Sequence, residues 1–259
     1  MPIEIALSNL ERQQRLLGFI EEQQRITIGQ ICNQFSVSVA TARRDLEALA
    51  GQGKVQRVHG GAIAARHAPL EPPVLVRASE QSENKARIGR ATADLITNGE
   101  TVFLGSGTTV LEVARNLHIK KNLTVITNSL LVITTLANRP DITVIGLGGI
   151  LRRTEMSLIG HIVELALKEL RADKVIISTR AIDIERGMTN DYVPETMTDR
   201  AILGIGHEVI LVADHTKCAA VSTAFVAPIS AIHTLVTDME TSADFVAALT
   251  TRGIRVVTA

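Results

Sequence analysis

The chain has 259 residues, 46% of them apolar, enough for two unequal domains with separate cores. Its 27 basic residues balance 27 acidic ones, which excludes a uniformly basic nucleic-acid coat and makes any DNA surface a local one. Aromatic residues are only 2% and tryptophan is absent, which argues against a module that stacks single-stranded bases but leaves duplex DNA open.

Residues 1–14 are acidic and polar where a signal peptide needs a basic start and a long apolar core, and no apolar run approaches the roughly 20 residues of a membrane span. A cytoplasmic chain without a membrane partner is expected. Cys32 and Cys218 lie far apart and the seven histidines show no ligand spacing, so neither a disulfide, a metal nor a cofactor is expected.

A first helix follows Asn9, with Leu10, Leu16, Leu17, Phe19 and Ile20 forming an apolar stripe. A second fits 27–34, where Ile28, Ile31, Cys32 and Phe35 recur at three- and four-residue steps. A third starts at Ser38, whose hydroxyl can cap the first turn, and runs to Ala50 before Gly51 and Gly53 stop it. This is the spacing of a helix-turn-helix. On the third helix Val39, Ala42, Leu46 and Leu49 share one face and are expected to be buried, which turns Ala40, Thr41, Arg44 and Ala48 outward with Arg43 on the flank. Small neighbours let Arg44 approach a major groove, where its fork can take guanine O6 and N7 together. Arg43 suits a phosphate or a neighbouring acid. From Lys54 to Ile63 polar and apolar residues alternate about Gly60-Gly61, the pattern of a β-wing. Residues 36–67 hold five Lys or Arg against two acids, which puts positive charge where a groove-facing helix and wing need it. The same pattern also fits a three-helix packing or dimerisation module.

Glu11-Arg12-Gln13-Gln14, then Ser38 to Leu46, then Arg57-Val58-His59-Gly60-Gly61-Ala62, closely resemble the DeoR family of bacterial repressors in order and spacing. The resemblance implies a winged helix-turn-helix on double-stranded operator DNA. Carried onto this chain, it implies contacts from Ser38, Thr41, Arg43 and Arg44, with Lys54, Arg57 and His59 along the adjacent backbone.

Residues 67–73 form a proline-rich break. The expected organisation is a DNA-binding domain over 1–63, a linker over 64–80 and a larger domain over 81–259. A helix fits 83–96, and β-rich runs at 101–104, 123–127, 142–146, 174–178, 209–213, 234–237 and 254–257 then alternate with helical stretches. The order predicts an α/β domain with a mainly parallel sheet, and the near-continuous apolar strands agree with burial on both faces. Ligands of such sheets sit at the strands' carboxyl ends. There Gly105-Ser106-Gly107-Thr108-Thr109 brings amides and hydroxyls to a helix start, a setting suited to phosphate. Asn128 and Ser129, Gly149 with Arg152, and Asp214 with Lys217 follow other strands, and Lys85 and Arg180 offer further charge. Each loop alone also reads as ordinary turn or cap chemistry. GxGxxG and GxxxxGK[ST] are both missing, against dinucleotide and nucleoside-triphosphate sites.

The DeoR resemblance continues through Glu83-Asn84-Lys85, 105–109, 127–129, Gly148 to Arg152 and Asp214 to Lys217, and so covers nearly the whole chain. It implies a sensor domain resembling ribose-5-phosphate isomerase, a phosphorylated sugar or polyol effector that releases the DNA, and a dimer or tetramer on a pseudo-palindromic operator. Two stretches depart from the pattern. Ser178 and Ala181 stand at its usual glycine places beside Arg180, and Asp199 stands where lysine follows four residues after Glu195, a position carried here as an effector contact. Arg180 and Asp199 then mean either an altered effector or an ion pair at the rim. An isomerase reading would need a base from Asp183, Asp191 or Glu195, but lacks the expected Asp-Gly-Ala-Asp-Glu segment, and no enzyme activity is expected. A ligand-free oligomerisation domain is the third reading.

Overall fold

The computed structural model describes residues 9–23, 25–51, 55–58, 60–64 and 72–259. The chain divides into two units, Met1–His67 and Ala68–Ala259.

The first unit runs α1 (Asn9–Gln23), β1 (Arg25–Thr27), α2 (Ile28–Phe35), α3 (Val39–Gly51), β2 (Val55–Val58) and β3 (Gly61–Ala64). The expected three helices and wing are present. The wing gains a third strand, because β1 pairs with β3 as β2 does, both antiparallel. Three residues with one inward side chain, Ile26, carry too little periodicity to announce such a strand. Thr27 begins α2 through a capping box with Gln30, and Ser36 ends it in the left-handed region at φ 51°. Thr41 N donates to Ser38 Oγ at 3.2 Å, so α3 starts where the hydroxyl allows. Leu16, Ile20, Ile31, Ala42, Leu46 and Leu49 form the core. Val39 does not join it and is 49% exposed, contrary to its place on the helical wheel. Helix Cβ atoms tilt toward the N-terminus, so a first-turn side chain projects past the helix end instead of onto its packed face.

The second unit runs α4 (Val74–Arg77), α5 (Ser82–Asp94), β4 (Thr101–Leu104), α6 (Thr108–Arg115), β5 (Leu123–Thr127), α7 (Leu130–Leu136), β6 (Ile142–Gly146), β7 (Ile150–Arg152), β8 (Ser157–Ile159), α8 (His161–Lys168), β9 (Ala172–Ile177), β10 (Ala181–Asp183), β11 (Gly187–Asn190), α9 (Thr196–Leu203), β12 (Gly206–Val212), β13 (Ala224–Ala227), β14 (Thr234–Thr237), α10 (Ala243–Thr251) and β15 (Arg255–Thr258). Seven strands form one sheet in the order β15-β14-β12-β9-β4-β5-β6, with every pair parallel. They are the seven runs read from the sequence. Val102, Leu104, Ile176 and Ile210 pack with residues of α5, α6 and α7 on one face; Phe103, Val175 and Val209 pack with α8 and α9 on the other. The short β7-β8 hairpin and the sheet β10-β11-β13 lie outside the main sheet and had no distinct sequence signal.

Within the stretch read as linker, residues 72–80 are ordered against this unit. Val74 N donates to Thr154 O at 2.7 Å, and the buried Arg77 pairs with the buried Glu155 and donates to Pro72 O at 2.8 Å. Proline content reads as a break in sequence, yet a single arginine with a buried carboxylate partner ties the segment down.

Candidate functional site

In the first unit the candidate groups stand on the outer face of α3. Arg43 and Arg44 are exposed, and Ser38 and Thr41 share a hydroxyl contact of 2.9 Å at the helix start. The two acids of the region are both engaged, in different ways. Asp45 points inward, accepting from Arg12 Nε at 2.7 Å and Gln13 Nε2 at 3.1 Å. Burial works to raise its carboxyl pKa, but these hydrogen bonds outweigh burial and hold it below the usual value. Glu47 instead takes Arg57 Nη1 at 2.8 Å in a solvent-exposed pair. Lys54 and His59 lie outside the described residues.

In the second unit the sheet order creates the site. From β4 the chain proceeds to β5 on one side, whereas β9, its other neighbour, leads to β12 on the opposite side. The loops after β4 and β9 therefore diverge and leave a crevice at the carboxyl ends, the topological switch point of an open α/β sheet. A cleft of about 730 Å³ lies there. Ser106, Thr108 and Thr109 enter it from β4, Ser178, Thr179 and Arg180 from β9, and Asp214, Thr216 and Lys217 from β12. Lys85 of α5 and Arg152 and Glu195 from beyond the main sheet line it as well.

The remaining expected residues are placed apart. Gly105 and Asn128 line a smaller adjoining cavity of about 400 Å³, while Gly107, Ser129 and Gly149 line neither. Gly107 instead caps the start of α6 at φ 109°, where a Cβ would collide with Ser178 Oγ. Ser129 caps α7, accepting from Val132 N at 3.4 Å. Gly149 permits close packing, since a Cβ there would lie 2.7 Å from Val163.

The cleft has two electrostatic ends. At one, no side chain caps the first turn of α6, so its amides face a lining rich in hydroxyls. Lys85 Nζ donates to Arg77 O at 2.8 Å and to Glu80 O. Burial lowers its pKa, Asp214 opposes that, and Lys217 and Arg77 add to it as like charges nearby. Asp214 Oδ1 accepts from Thr216 N at 3.0 Å, fixing the turn that carries Lys217. At the other end Arg152 pairs with Glu195 and, at 3.4 Å, with Asp191, while Tyr192 lies 4.7 Å from its guanidinium. Asn190 Nδ2 donates to Asp199 Oδ2 at 2.7 Å, and its Oδ1 accepts from Arg180 N at 2.9 Å. Burial, and then repulsion from Asp199, push the Glu195 carboxyl up to about 8 against the pull of Arg152; burial likewise pushes Asp199 up to about 7.

Arg77, Glu80, Gln81, Glu155, Asn190 and Asp199 were not among the expected ligand groups. Asp199 stands out in sequence as a departure from the family pattern, read with Arg180 as either an altered effector or a rim ion pair, and Arg77 falls in the stretch read as linker. Glu155 and Asn190 sit in strand and hairpin connections too short for periodicity to register. Elsewhere His215, Asp238 and Glu240 bring ligand atoms within 4.8 Å of one another, a metal-type grouping that spacing did not suggest. Asp238 is engaged by the protein itself, accepting from His215 N at 2.8 Å and Glu240 N at 2.9 Å.

Residues 12–68 match the DeoR-like helix-turn-helix domain and residues 80–239 match the DeoR C terminal sensor domain. The chain belongs to the DeoR family. It is 34% identical to the transcriptional repressor AccR of Agrobacterium fabrum, covering 90% of this chain and 91% of that one. It is 33% identical to the glycerol-3-phosphate regulon repressor of Escherichia coli, covering 90% and 92%. Ribose 5 phosphate isomerase A from Neisseria gonorrhoeae aligns over 55% of this chain and 56% of that one, at 16% identity and a TM-score of 0.42. This DeoR protein is a DNA-binding transcriptional regulator and not an enzyme, in keeping with the named relatives. Asp191 and Glu195, the nominal bases of an isomerase, are both engaged by Arg152, and Asp183 Oδ1 accepts from Glu185 N and Arg186 N in a turn. Among the described residues no helix is long and apolar enough to cross a membrane.

Proposed function

We propose that the chain represses a sugar or polyol catabolic operon in the cytoplasm, as a dimer or tetramer on a pseudo-palindromic operator, and lets go when a phosphorylated sugar or polyol enters the sensor cleft. The observation that carries the effector reading is the convergence of the uncapped first turn of α6 with Lys85 and Lys217 at a switch-point crevice. A phosphate monoester carries close to two negative charges and requires several donors at once. Ser106, Thr108 and Thr109 offer hydroxyls and amides, Lys85, Lys217 and Arg180 offer charge, and Arg152, Glu195, Asn128 and Asp214 are left for the hydroxyls of the carbon chain. The name of the Escherichia coli relative ties that protein to glycerol-3-phosphate, itself a phosphorylated polyol, which supports this class.

On the DNA side, Arg44 reads a base edge, Arg43 and the hydroxyls of Ser38 and Thr41 grip phosphates, and Lys54, Arg57 and His59 follow the backbone. We also place the domain boundary before Pro72, because Val74 and Arg77 bond to the sensor unit. The test is a thermal-shift screen of pentose, hexose, polyol and aldonate phosphates, with operator release measured for each hit. A compound that stabilises the protein and dissociates it from operator is expected. Stabilisation by no phosphate, with operator binding intact, returns the sensor unit to a ligand-free oligomerisation role.

A further inference from the structure

The smaller cavity opens off the cleft and shares Ser106, Ser178, Thr179, Asn190 and Asp199 with it. Its chemistry differs from that of the mouth. Ile177, Met188, Ile202 and Val226 give it apolar walls, and among the described residues Asp199 is the one ionisable group lining it and no cation does. Asn128, only 2% exposed, faces the same space. Its Nδ2 donates to Leu158 O at 3.0 Å, which fixes the orientation of the amide. Its Oδ1 is the buried side-chain polar atom that, among the described residues, has no hydrogen-bond partner.

An unmet buried acceptor costs about 1–3 kcal/mol, and a carboxylate among apolar walls is costlier still without a countercharge. The chamber therefore holds one acceptor with no donor, Asn128 Oδ1, and one carboxyl, Asp199, whose hydrogen-bond donor is the neutral amide of Asn190. A hydroxyl answers Asn128 and leaves Asp199 with only the through-space pull of Arg152 and Arg200 and the neutral amide of Asn190. An ammonium group answers both, with three donors and a full charge. Among the described residues the whole cleft is lined by six carboxyl groups and five cations, close to balance before any ligand enters. A dianionic phosphate ester adds about two negative charges, of which an ammonium on the same ligand cancels one. A lysine at position 199 would supply the cation from the protein; Asp199 leaves it to the ligand.

We propose that the inner chamber receives a protonated primary amine on Asp199 and Asn128, so that the effector is a phosphorylated amino compound with its phosphate at the α6 end. This rests on the phosphate reading of the cleft. The test titrates the full-length protein with matched esters by calorimetry: glucosamine 6-phosphate against glucose 6-phosphate, galactosamine 6-phosphate against galactose 6-phosphate, and ethanolamine phosphate against ethylene glycol phosphate, with inorganic phosphate as reference. In one or more pairs the amine is expected to bind at least about tenfold tighter, the size of one charge-assisted hydrogen bond. Asp199→Asn is expected to shrink that ratio to about twofold, and Asn128→Ser to shrink it in part. Because the ratio is taken within each protein, a general loss of affinity does not mimic the result. Hydroxyl partners binding as tightly as the amines in every pair, or a ratio undiminished in both variants, overturns the amine subsite while leaving the phosphate reading standing. Binding by none of the compounds, inorganic phosphate included, overturns the phosphate reading itself and the subsite with it.

Discussion

Arg43 and Arg44 stand in solvent on α3, and Arg57 meets Glu47 in an exposed pair, whereas the sensor cleft encloses charged groups such as Arg77, Glu155, Arg152 and Glu195, all below a tenth exposed or close to it. The consequence is a division of labour in energy. Exposed cations cost little to hold ready, are screened by salt and act chiefly on a highly charged partner. Enclosed charges owe their positions to one another, so removing one exposes the desolvation cost of its partner. The same residue type should therefore behave very differently when mutated in the two units.

The largest effect is expected at the Arg77–Glu155 pair. Arg77→Ala leaves Glu155 buried without its partner and should destabilise the sensor unit by about 3–5 kcal/mol in urea unfolding. For the same reason a fragment starting at Pro72 should fold with full stability, while one starting at Glu80, lacking Val74 and Arg77, should not. Equal stability of the two fragments would restore 72–80 to the role of a linker.

Next come the proposed effector contacts. Lys217→Ala and Thr108→Val should each lose roughly 1.5–3 kcal/mol, tenfold to a hundredfold, in effector affinity, yielding repressors that still bind operator but no longer release it. Unchanged release by both variants in an effector titration would remove the proposed phosphate end. On the exposed side, Arg44→Ala should cost about 1–3 kcal/mol for the specific operator and little for random DNA.

The pH response should separate the units further. Glu195 and Asp199 have folded-state values of about 8 and about 7, above the roughly 4 expected in an unfolded chain. The folded state thus binds more protons than the unfolded state between about pH 4 and pH 8, and stability falls as pH rises through that window. Unfolding of wild type at pH 6, 7 and 8 is expected to show this slope, at most about 1.4 kcal/mol per pH unit per proton, and Asp199→Asn is expected to flatten it. A variant with the wild-type slope would show that the cluster does not take up the proton. Smallest of all, Arg57→Ala should change stability by less than about 1 kcal/mol, while weakening specific and random DNA alike and reducing the salt slope by about one.

Where candidate groups stand on one element, local pattern places them. Ala42, Leu46 and Leu49 at helical spacing determine which way α3 faces, and Arg43 and Arg44 follow as outward groups from geometry alone. Val39 departs because a wheel takes no account of the helix end. The seven sheet strands were legible as apolar runs, and the loops after them as chemically distinctive, because burial on both faces demands that composition.

Which of those loops meet was decided by strand order. Nothing local in the residues states that β9 lies beside β4, so neither the meeting of Arg180 with Thr108 nor the separation of Ser129 from the cleft could be derived from spacing. The charge pairs lie further out of reach: Arg77 and Glu155 are 78 residues apart, and Arg152 and Glu195 are 43 apart. Periodicity reports the environment of a segment against its own axis, which is enough to form helices, strands and an outward-facing arginine. An enclosed ion pair or an unmet amide oxygen such as that of Asn128 depends on what the rest of the chain brings to it, and only the packed fold supplies that.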